Sequence, residues 1–163
     1  MILIALGSNL PSRAGDSAAT LRAALARLAE SGVKIAAVSR FFRTPAWPDA
    51  NDPAFVNAVA HVVTELSPAE LIARLHETET AFGRTRSERN APRTLDLDIV
   101  DYNGRVETGP PILPHPRLEA RAFVLIPLQD VAPDWRHPVS GRTVAELLAD
   151  IPAEDRAAVT PLS

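Results

Sequence analysis

The sequence predicts an α+β fold in which an antiparallel sheet carries helices on one face. Segments rich in β-branched and aromatic residues alternate with amphipathic segments at helical spacing, and turns containing Pro or Gly separate them. With 163 residues, of which 46% are hydrophobic and 23% charged, the chain has the size and composition of one globular domain. We therefore expect residues 1–163 to form a single domain.

The first two elements are a strand and a helix. Residues 1–6 form an apolar run that has no basic segment before it and is too short for a signal peptide, so it predicts a strand. Residues 7–11, Gly-Ser-Asn-Leu-Pro, form a turn-forming cluster. Leu21, Leu25 and Leu28 then recur at helical spacing until residues 31–32, Ser-Gly, end the helix.

Two further strands and a second helix follow. Residues 33–42 and 55–66 are typical of strands, and we expect them to pair across the Pro-containing loop 44–53. Residues 67–70, Ser-Pro-Ala-Glu, form a capping box with Pro at the first helical position, so a helix begins there. Residues 94–100 predict the next strand.

The order strand, helix, strand, strand, helix, strand is the βαββαβ plan of ferredoxin-like folds. Short helices are expected at residues 122–131 and after Thr143, which begins a second capping box. The last ten or so residues are expected to be loosely attached.

Composition excludes several classes of function. The net charge of −3 and the pI of about 5.8 argue against a nucleic-acid-binding surface. The chain has no Cys, so neither disulfides nor Cys-ligated zinc can form. No stretch approaches the eighteen or so apolar residues that a membrane-spanning helix needs. We expect a cytoplasmic monomer with no nucleic-acid or membrane partner.

The most informative segment, residues 83–100, is a basic loop that runs into an acidic strand. Because side chains of a strand alternate, Leu95, Leu97 and Ile99 should enter the core while Asp96 and Asp98 share the other face. Two carboxylates about 6 Å apart repel by about 3 kcal/mol at an effective dielectric constant of about 20. A divalent cation such as Mg²⁺, which prefers carboxylate, water and phosphate oxygens, would reverse this repulsion.

Four arginines precede this acidic strand. Their guanidinium groups suit phosphate oxygens, so metal and arginines would flank one polyphosphate. They are Arg84, Arg86, Arg89 and Arg93. The alternative interpretation is an exposed strand face with solvated charges and peripheral salt bridges.

Three other features are candidates for a site. Two prolines bracket His115 and fix its backbone, so it could donate to a phosphate or ribose oxygen. Arg121 could clamp a phosphate, and Phe123 could present a flat face to a planar ligand, although each of the three could instead be structural. Glu79 lies on or beside the apolar face of the second helix, where a carboxylate needs a partner, and an edge-of-core salt bridge is the structural alternative.

Five segments together resemble the 6-hydroxymethyl-7,8-dihydropterin pyrophosphokinase family across most of the chain. They are Ala5-Leu6-Gly7-Ser8-Asn9-Leu10, Phe55-Val56-Asn57-Ala58, Gly83-Arg84-x-Arg86, Pro92-Arg93-Thr94-Leu95-Asp96-Leu97-Asp98, and Pro114-His115-Pro116-Arg117 through Phe123-Val124-Leu125. The resemblance implies a ferredoxin-like fold and a step of folate synthesis. ATP would donate pyrophosphate with two Mg²⁺ ions, the pterin hydroxymethyl oxygen would attack the β-phosphorus, and AMP would leave.

The resemblance also implies roles for individual residues. Asp96 and Asp98 match the metal-binding carboxylates, and with Arg84 and Arg93 they form the implied catalytic set. The implied nucleotide contacts are Glu79, Arg84, Arg93, Ile99, His115 and Arg121. The implied pterin contacts are Thr44, Pro45, Trp47, Phe55, Asn57, Asp96 and Phe123. We expect catalysis to rest on positioning and charge stabilisation, with Asp98 as the candidate base.

One departure from the family concerns a loop aromatic. Some members carry a Trp in the basic loop that closes over the pterin, and Asn90 stands there in this chain. Trp47 is a candidate replacement, and a hydrophobic staple that pins a Pro-rich loop is the alternative. Loops 44–53 and 83–92 are long enough to close over the substrates and exclude water.

Two rival functions stay open. One is a non-catalytic ferredoxin-like binding module such as an RNA-binding sheet, which the negative charge and the acidic strand disfavour. The other is a magnesium-dependent phosphotransferase that acts on another heterocycle. His61, His76 and His137 are interpreted as structural, because none has a partner at metal-ligand spacing.

Overall fold

The computed structural model of the protein describes residues 1–46, 51–84 and 94–162. A one-turn 3₁₀ helix lies at Leu118–Ala120. In chain order the elements are β1 Ile2–Ser8, α1 Ser17–Glu30, β2 Lys34–Val38, β3 Phe42–Thr44, β4 Phe55–Val63, α2 Pro68–Ala81, β5 Asp96–Tyr102, β6 Glu107–Thr108, β7 Ile112–Leu113, α3 Ala122–Val131, α4 Val144–Ala149, α5 Ala153–Ala157 and β8 Thr160–Pro161.

The main sheet is antiparallel and has the order β5-β1-β4-β3-β8, with β2 also paired to β4. The central strands β1 and β4, flanked by β5 and by β2 and β3, confirm the predicted βαββαβ plan. The single strand predicted at residues 33–42 is wrong in one respect, because the chain forms two strands there. Between them the Ser39 hydroxyl accepts a hydrogen bond from the N–H of Val59 at 2.9 Å, which interrupts regular pairing.

Side chains alternate across the sheet and build two cores. On one face, β1, β4 and β5 contribute Ile4, Ala60 and Leu97 to a core shared with the buried leucines of α1 and α2. On the other face, Leu3 and Val59 join a second core built from the C-terminal helices α3 and α4. The two predicted helices therefore share one face, and the short C-terminal helices cover the opposite one.

Local capping chemistry sets where two helices begin, as predicted. The Ser67 hydroxyl accepts from the N–H of Glu70 at 3.2 Å, and the Glu70 carboxylate accepts from the N–H of Ser67 at 3.1 Å. Thr143 and Glu146 make the same reciprocal pair before α4. These bonds satisfy backbone donors that a helix leaves free at its first turn.

Two local predictions were wrong. Gly7 and Ser8, expected in a turn, belong to β1, because that strand is paired on both sides by β4 and β5. The C-terminal residues, expected to be loosely attached, form β8 against β3, and the N–H of Leu162 donates to the carbonyl of Phe41 at 2.9 Å. In both cases non-local backbone pairing overrides the local signal.

Across the described parts of the chain, no helix combines the length and apolar character needed to cross a membrane.

Candidate active site

The predicted alternation of β5 is confirmed. Leu95, Leu97 and Ile99 are buried in the core beneath α1 and α2, while Asp96 and Asp98 lie on the opposite face. Their carboxylate side chains keep 28% and 39% of their surface exposed. The strand thus presents two adjacent carboxylates to a ligand without interrupting the core.

Arg84 bridges two carboxylates at the end of α2. Its Nη1 donates to Asp96 Oδ1 at 2.8 Å and to Glu79 Oε2. Glu79 is 1% exposed, and the same Oε2 accepts from the backbone N–H of Leu97 at 2.8 Å. Glu79 therefore ties the end of α2 to the start of β5 and holds the guanidinium beside Asp96.

The position of His115 is fixed through its main chain and one ring nitrogen. Its N–H donates to the carbonyl of Val100 at 3.0 Å, and its Nδ1 accepts from the N–H of Arg117 at 3.1 Å. The neutral ring therefore carries its proton on Nε2, which lies 3.7 Å from Asp98 Oδ2. Burial, and then the Arg121 charge, lower the pKa of His115 to about 4, so the ring is neutral at pH 7.

Asp98 is perturbed in the opposite direction. Burial raises the pKa of Asp98 to about 7, with further contributions from the charges of Asp96 and Glu79, while Arg121 and Arg84 partly oppose the rise. The carboxyl group thus exchanges its proton near neutral pH in the protein without a bound ligand. A carboxylate in these surroundings gains stability when a cation approaches it.

A cavity of about 320 Å³ opens beside β5. The structure brings six predicted residues together there, namely Glu79, Arg84, Asp96, Asp98, His115 and Arg121. His76, interpreted from the sequence as structural, and Arg117, which was assigned no role, also line this cavity. His76 could have been predicted from its spacing, because it precedes Glu79 by three residues and therefore lies on the same face of the helix.

A second group of predicted residues lies on β3 and β4, on the same sheet face. The Asn57 amide donates from Nδ2 to the Thr44 hydroxyl at 3.1 Å. Phe55 lies two residues before Asn57 in β4 and is half-buried. Asn57 pairs with Gly7 of β1, and Gly7 pairs with Asp96 of β5, so one strand position separates this group from the carboxylates.

Phe123 approaches the same sheet face from the first turn of α3. It is half-buried against the second core, and the Arg121 guanidinium carbon lies 5.4 Å from its ring centroid. This contact links the aromatic ring to the arginine that lines the cavity. Pro45 is exposed and instead borders a separate depression with Arg43 and Ala46.

Three predicted residues require separate mention. The side chain of Ile99 is 3% exposed and faces the core beneath α1 and α2, so any nucleotide contact by this residue must come from its backbone. Trp47 and Arg93 lie outside the described residues, as do Arg86, Arg89 and Asn90. Their predicted roles stay predictions.

The donor set at β5 fits a hard divalent cation. Asp96 and Asp98 offer carboxylate oxygens on one face, which is the ligand type that Mg²⁺ prefers. In the ranges that the structure describes, no cluster of three or more His, Cys, Asp or Glu side chains is arranged to hold a metal. Phosphate and water oxygens would therefore have to complete the coordination shell.

Comparison with known proteins gives one family. Residues 3–133 match the family described as 7,8-dihydro-6-hydroxymethylpterin-pyrophosphokinase. Relatives named 2-amino-4-hydroxy-6-hydroxymethyldihydropteridine pyrophosphokinase include one from Pseudomonas aeruginosa, 42% identical over 154 residues, with 94% of this chain and 93% of the relative covered. Another, from Methylorubrum extorquens, is 40% identical over 150 residues, with 91% of each chain covered.

Solved structures give the same fold at much lower identity. A wild-type HPPK-DHPS from Plasmodium falciparum has a TM-score of 0.63 at 15% identity over 91% of this chain. A second HPPK-DHPS, in complex with substrates, has a TM-score of 0.67 at 12% identity over 91% of this chain. The chain spans 44% and 42% of the lengths of these two larger proteins. On the sequence matches, this chain belongs to the 7,8-dihydro-6-hydroxymethylpterin-pyrophosphokinase family of enzymes.

Proposed function

We propose that this chain transfers the β,γ-diphosphate group of ATP to the hydroxymethyl oxygen of 6-hydroxymethyl-7,8-dihydropterin and releases AMP, as a step of folate synthesis. The observation that carries this proposal is the adjacency of two kinds of site across β1. A cavity with carboxylates and arginines lies beside β5, and an amide with a neighbouring aromatic ring lies on β4. The first suits a polyphosphate, and the second suits a flat heterocycle.

Phosphate groups of ATP would occupy the cavity beside β5. Arg84 and Arg121 supply charged planar donors, and the Nε2–H of neutral His115 supplies an uncharged one. Glu79 is buried and engaged with Arg84 and Leu97, so it supports the nucleotide site from behind rather than contacting phosphate in the open cavity. Arg93 is proposed to add a further phosphate contact.

A kinase that uses ATP requires a divalent metal, and we propose two Mg²⁺ ions held by Asp96 and Asp98. The metal would neutralise charge on the phosphate oxygens and hold the donor in line with the acceptor. Asp96 forms an ion pair with Arg84, so the negative charge of this proposed metal ligand is already partly compensated before a cation binds.

The pterin would lie on β4, against the face that carries Asn57. Phe55 and Phe123 lie on the same side of the sheet and are proposed to stack on the two sides of its ring. The Asn57 amide, held by Thr44, would read its hydrogen-bonding edge. Trp47 is proposed to complete this pocket, together with backbone groups around Thr44 and Pro45, because the Pro45 side chain itself borders a separate depression.

The chemistry is one phosphoryl-transfer step. The hydroxymethyl oxygen forms a bond to the β-phosphorus while the bond from that phosphorus to the oxygen bridging the α-phosphorus breaks. AMP leaves with the bonding electrons, and the hydroxyl proton must pass to a base. Asp98 is the candidate base, because its carboxylate lines the cavity in which the acceptor hydroxyl and the phosphates would meet.

The test is AMP formation from Mg-ATP with and without 6-hydroxymethyl-7,8-dihydropterin, followed by ³¹P NMR and identification of the pterin diphosphate. Pterin-dependent AMP in equal amount to that product is the expected result. Tight Mg-ATP binding without pterin-dependent AMP would contradict the proposal and favour another heterocyclic acceptor. Absence of Mg-ATP binding would favour the non-catalytic binding module.

Three broader predictions accompany this proposal. We propose that residues 1–163 form a single pyrophosphokinase domain, that the chain acts as a monomer, and that it works in the cytoplasm. Gel filtration with light scattering checks the oligomeric state.

A further inference from the structure

Gly7 occupies the strand position between the two halves of the proposed site. In β1 it pairs with Asn57 of β4 on one side and with Asp96 of β5 on the other. Partner residues in neighbouring strands direct their side chains to the same face, so a side chain at position 7 would emerge between the Asn57 amide and the Asp96 carboxylate. The predicted role of this glycine was in a turn, but Gly7 lies inside a strand, so a turn does not explain it.

Backbone conformation does not require a glycine at this position either. The other six glycines of the chain have a positive φ, which L-residues with side chains rarely adopt, and Gly7 does not. A glycine within a strand is unfavourable by about 0.5 to 1 kcal/mol relative to alanine, so its presence in a central strand calls for a packing reason.

The space around Gly7 supplies this reason. A Cβ atom at this position would lie 3.0 Å from Asn57 Oδ1 and 3.8 Å from Phe55 Cδ1. The first distance is tighter than nearly all real contacts of a Cβ atom, so the amide would have to give way by a few tenths of an ångström. At its other end the amide is held by the bond from Nδ2 to the Thr44 hydroxyl. Asn57 is thus seated between the bare main chain of β1 and the hydroxyl of β3.

Side chains on the site face of β1 become smaller toward the site. Leu3 packs in the second core, Ala5 lies partly buried beside it, and Gly7 has no side chain. Ala5 pairs with Asp98 as Gly7 pairs with Asp96. Because these side chains become smaller, the sheet surface between β4 and β5 forms a shallow depression beside Asn57 and Asp96. A planar ring must lie there to place its substituent beside the carboxylates.

We propose that Gly7 is a positioning and specificity-determining residue for the heterocyclic substrate. Its missing side chain lets the Asn57 amide rest against β1 and keeps the floor between Asn57 and Asp96 flat enough for a ring. This inference rests on the proposed function, because it concerns the same acceptor site. In this proposal Gly7 affects pterin binding through the position of the Asn57 amide, and it does not affect the proposed nucleotide contacts of Arg84 and His115.

The test compares Gly7→Ala with the wild-type protein. A single methyl should displace Asn57 and raise the KM for the pterin about tenfold, because small misplacements at a reacting site are costly. The dissociation constant for Mg-ATP should stay within about twofold, since no nucleotide contact changes. The side-chain amide NMR signals of Asn57 should shift. A wild-type KM for the pterin, or an equal loss of ATP and pterin binding, would overturn the inference.

Thr44 provides a second pair of variants that does not add volume. Thr44→Val removes the acceptor for Asn57 Nδ2 and should shift the same amide signals and raise the KM for the pterin, whereas Thr44→Ser keeps the hydroxyl and should restore both. The inference requires the amide to be held between Gly7 and the Thr44 hydroxyl. Unchanged Asn57 signals in Thr44→Val would show that it is not held there, and would overturn the inference even if Gly7→Ala does not fold. If the wild-type protein forms no AMP, the proposed function fails, and the Asn57 signals in Gly7→Ala still decide whether Gly7 seats the amide.

Discussion

Arg84 donates to Asp96 across 2.8 Å, although the two residues belong to different elements separated by a basic loop. Arg84 follows α2, whereas Asp96 begins β5. The contact depends on Glu79, whose buried carboxylate binds both the guanidinium and the backbone of the strand. The Arg84 guanidinium, proposed to bind phosphate, is therefore held beside the Asp96 carboxylate, proposed to bind metal, before any ligand arrives, which lowers the reorganisation that binding requires.

Removing one negative charge at β5 should abolish turnover and preserve the fold. Asp96→Asn and Asp98→Asn should each reduce the rate of pterin-dependent AMP formation by at least about a hundredfold, because each would remove a proposed carboxylate ligand of the Mg²⁺ that neutralises the transferring group. Both side chains lie away from the leucine core, so circular dichroism should be unchanged. Asp150→Asn, at the exposed end of α4, is the matched control and should retain activity. Full activity in either β5 variant would contradict the metal-site assignment.

Glu79→Gln should weaken both stability and nucleotide binding. The variant keeps an oxygen that can accept from Leu97 but removes the charge opposite Arg84, at an expected cost of about 1 to 3 kcal/mol of unfolding free energy. A freed guanidinium should also raise the KM for ATP. Urea denaturation and ATP titration measure the two effects.

Removal of an exposed ion pair provides the comparison for Glu79. Asp150→Asn removes a partner of Arg142 where the two side chains are 65% and 37% exposed, and should cost under about 1 kcal/mol. Equal losses in Glu79→Gln and Asp150→Asn would show that Glu79 is not the anchor that its burial indicates.

His115 should make the unfolding free energy depend on pH. Its pKa falls from about 6.5 to about 4 on folding, so the unfolded chain binds the proton more tightly between these values. This contribution to stability is complete above pH 6.5 and is lost as the pH falls toward 4, up to about 3 kcal/mol. His115→Gln should lose less stability over this range than the wild-type protein.

Asp98 must be controlled in this pH experiment. Because burial raises its pKa to about 7, it favours the folded state at acid pH and loses this contribution as the pH rises through 7, opposite in sign to His115. Wild type and His115→Gln are therefore also compared in an Asp98→Asn background. Parallel pH profiles in both backgrounds would refute the lowered pKa of His115.

Ser67→Ala should destabilise the protein without altering catalysis. The Ser67 hydroxyl satisfies the N–H of Glu70 at the start of α2, and its loss should cost about 1 kcal/mol of unfolding free energy. Glu70→Gln keeps an acceptor for the N–H of Ser67 and serves as the control. A large fall in the turnover rate of Ser67→Ala at a temperature where it is folded would count against this purely structural role.

The local features of the fold and site could be read from the sequence because they depend on neighbours in the chain. Strand alternation alone places Asp96 and Asp98 on one face and the intervening Leu97 in the core. Capping residues alone locate the starts of α2 and α4. The order of elements then leaves few topologies, and the ferredoxin-like sheet is among them.

Tertiary structure alone decided the features that depend on pairing between distant segments. Burial of Glu79 under Arg84, the place of Gly7 between Asn57 and Asp96, and the joining of β8 to β3 all follow from strand register and layer packing. Register is fixed by contacts among residues far apart in the chain, so no local pattern specifies it. The sequence by itself determined which residues are candidates for the chemistry, and the tertiary structure determined which of these candidates meet.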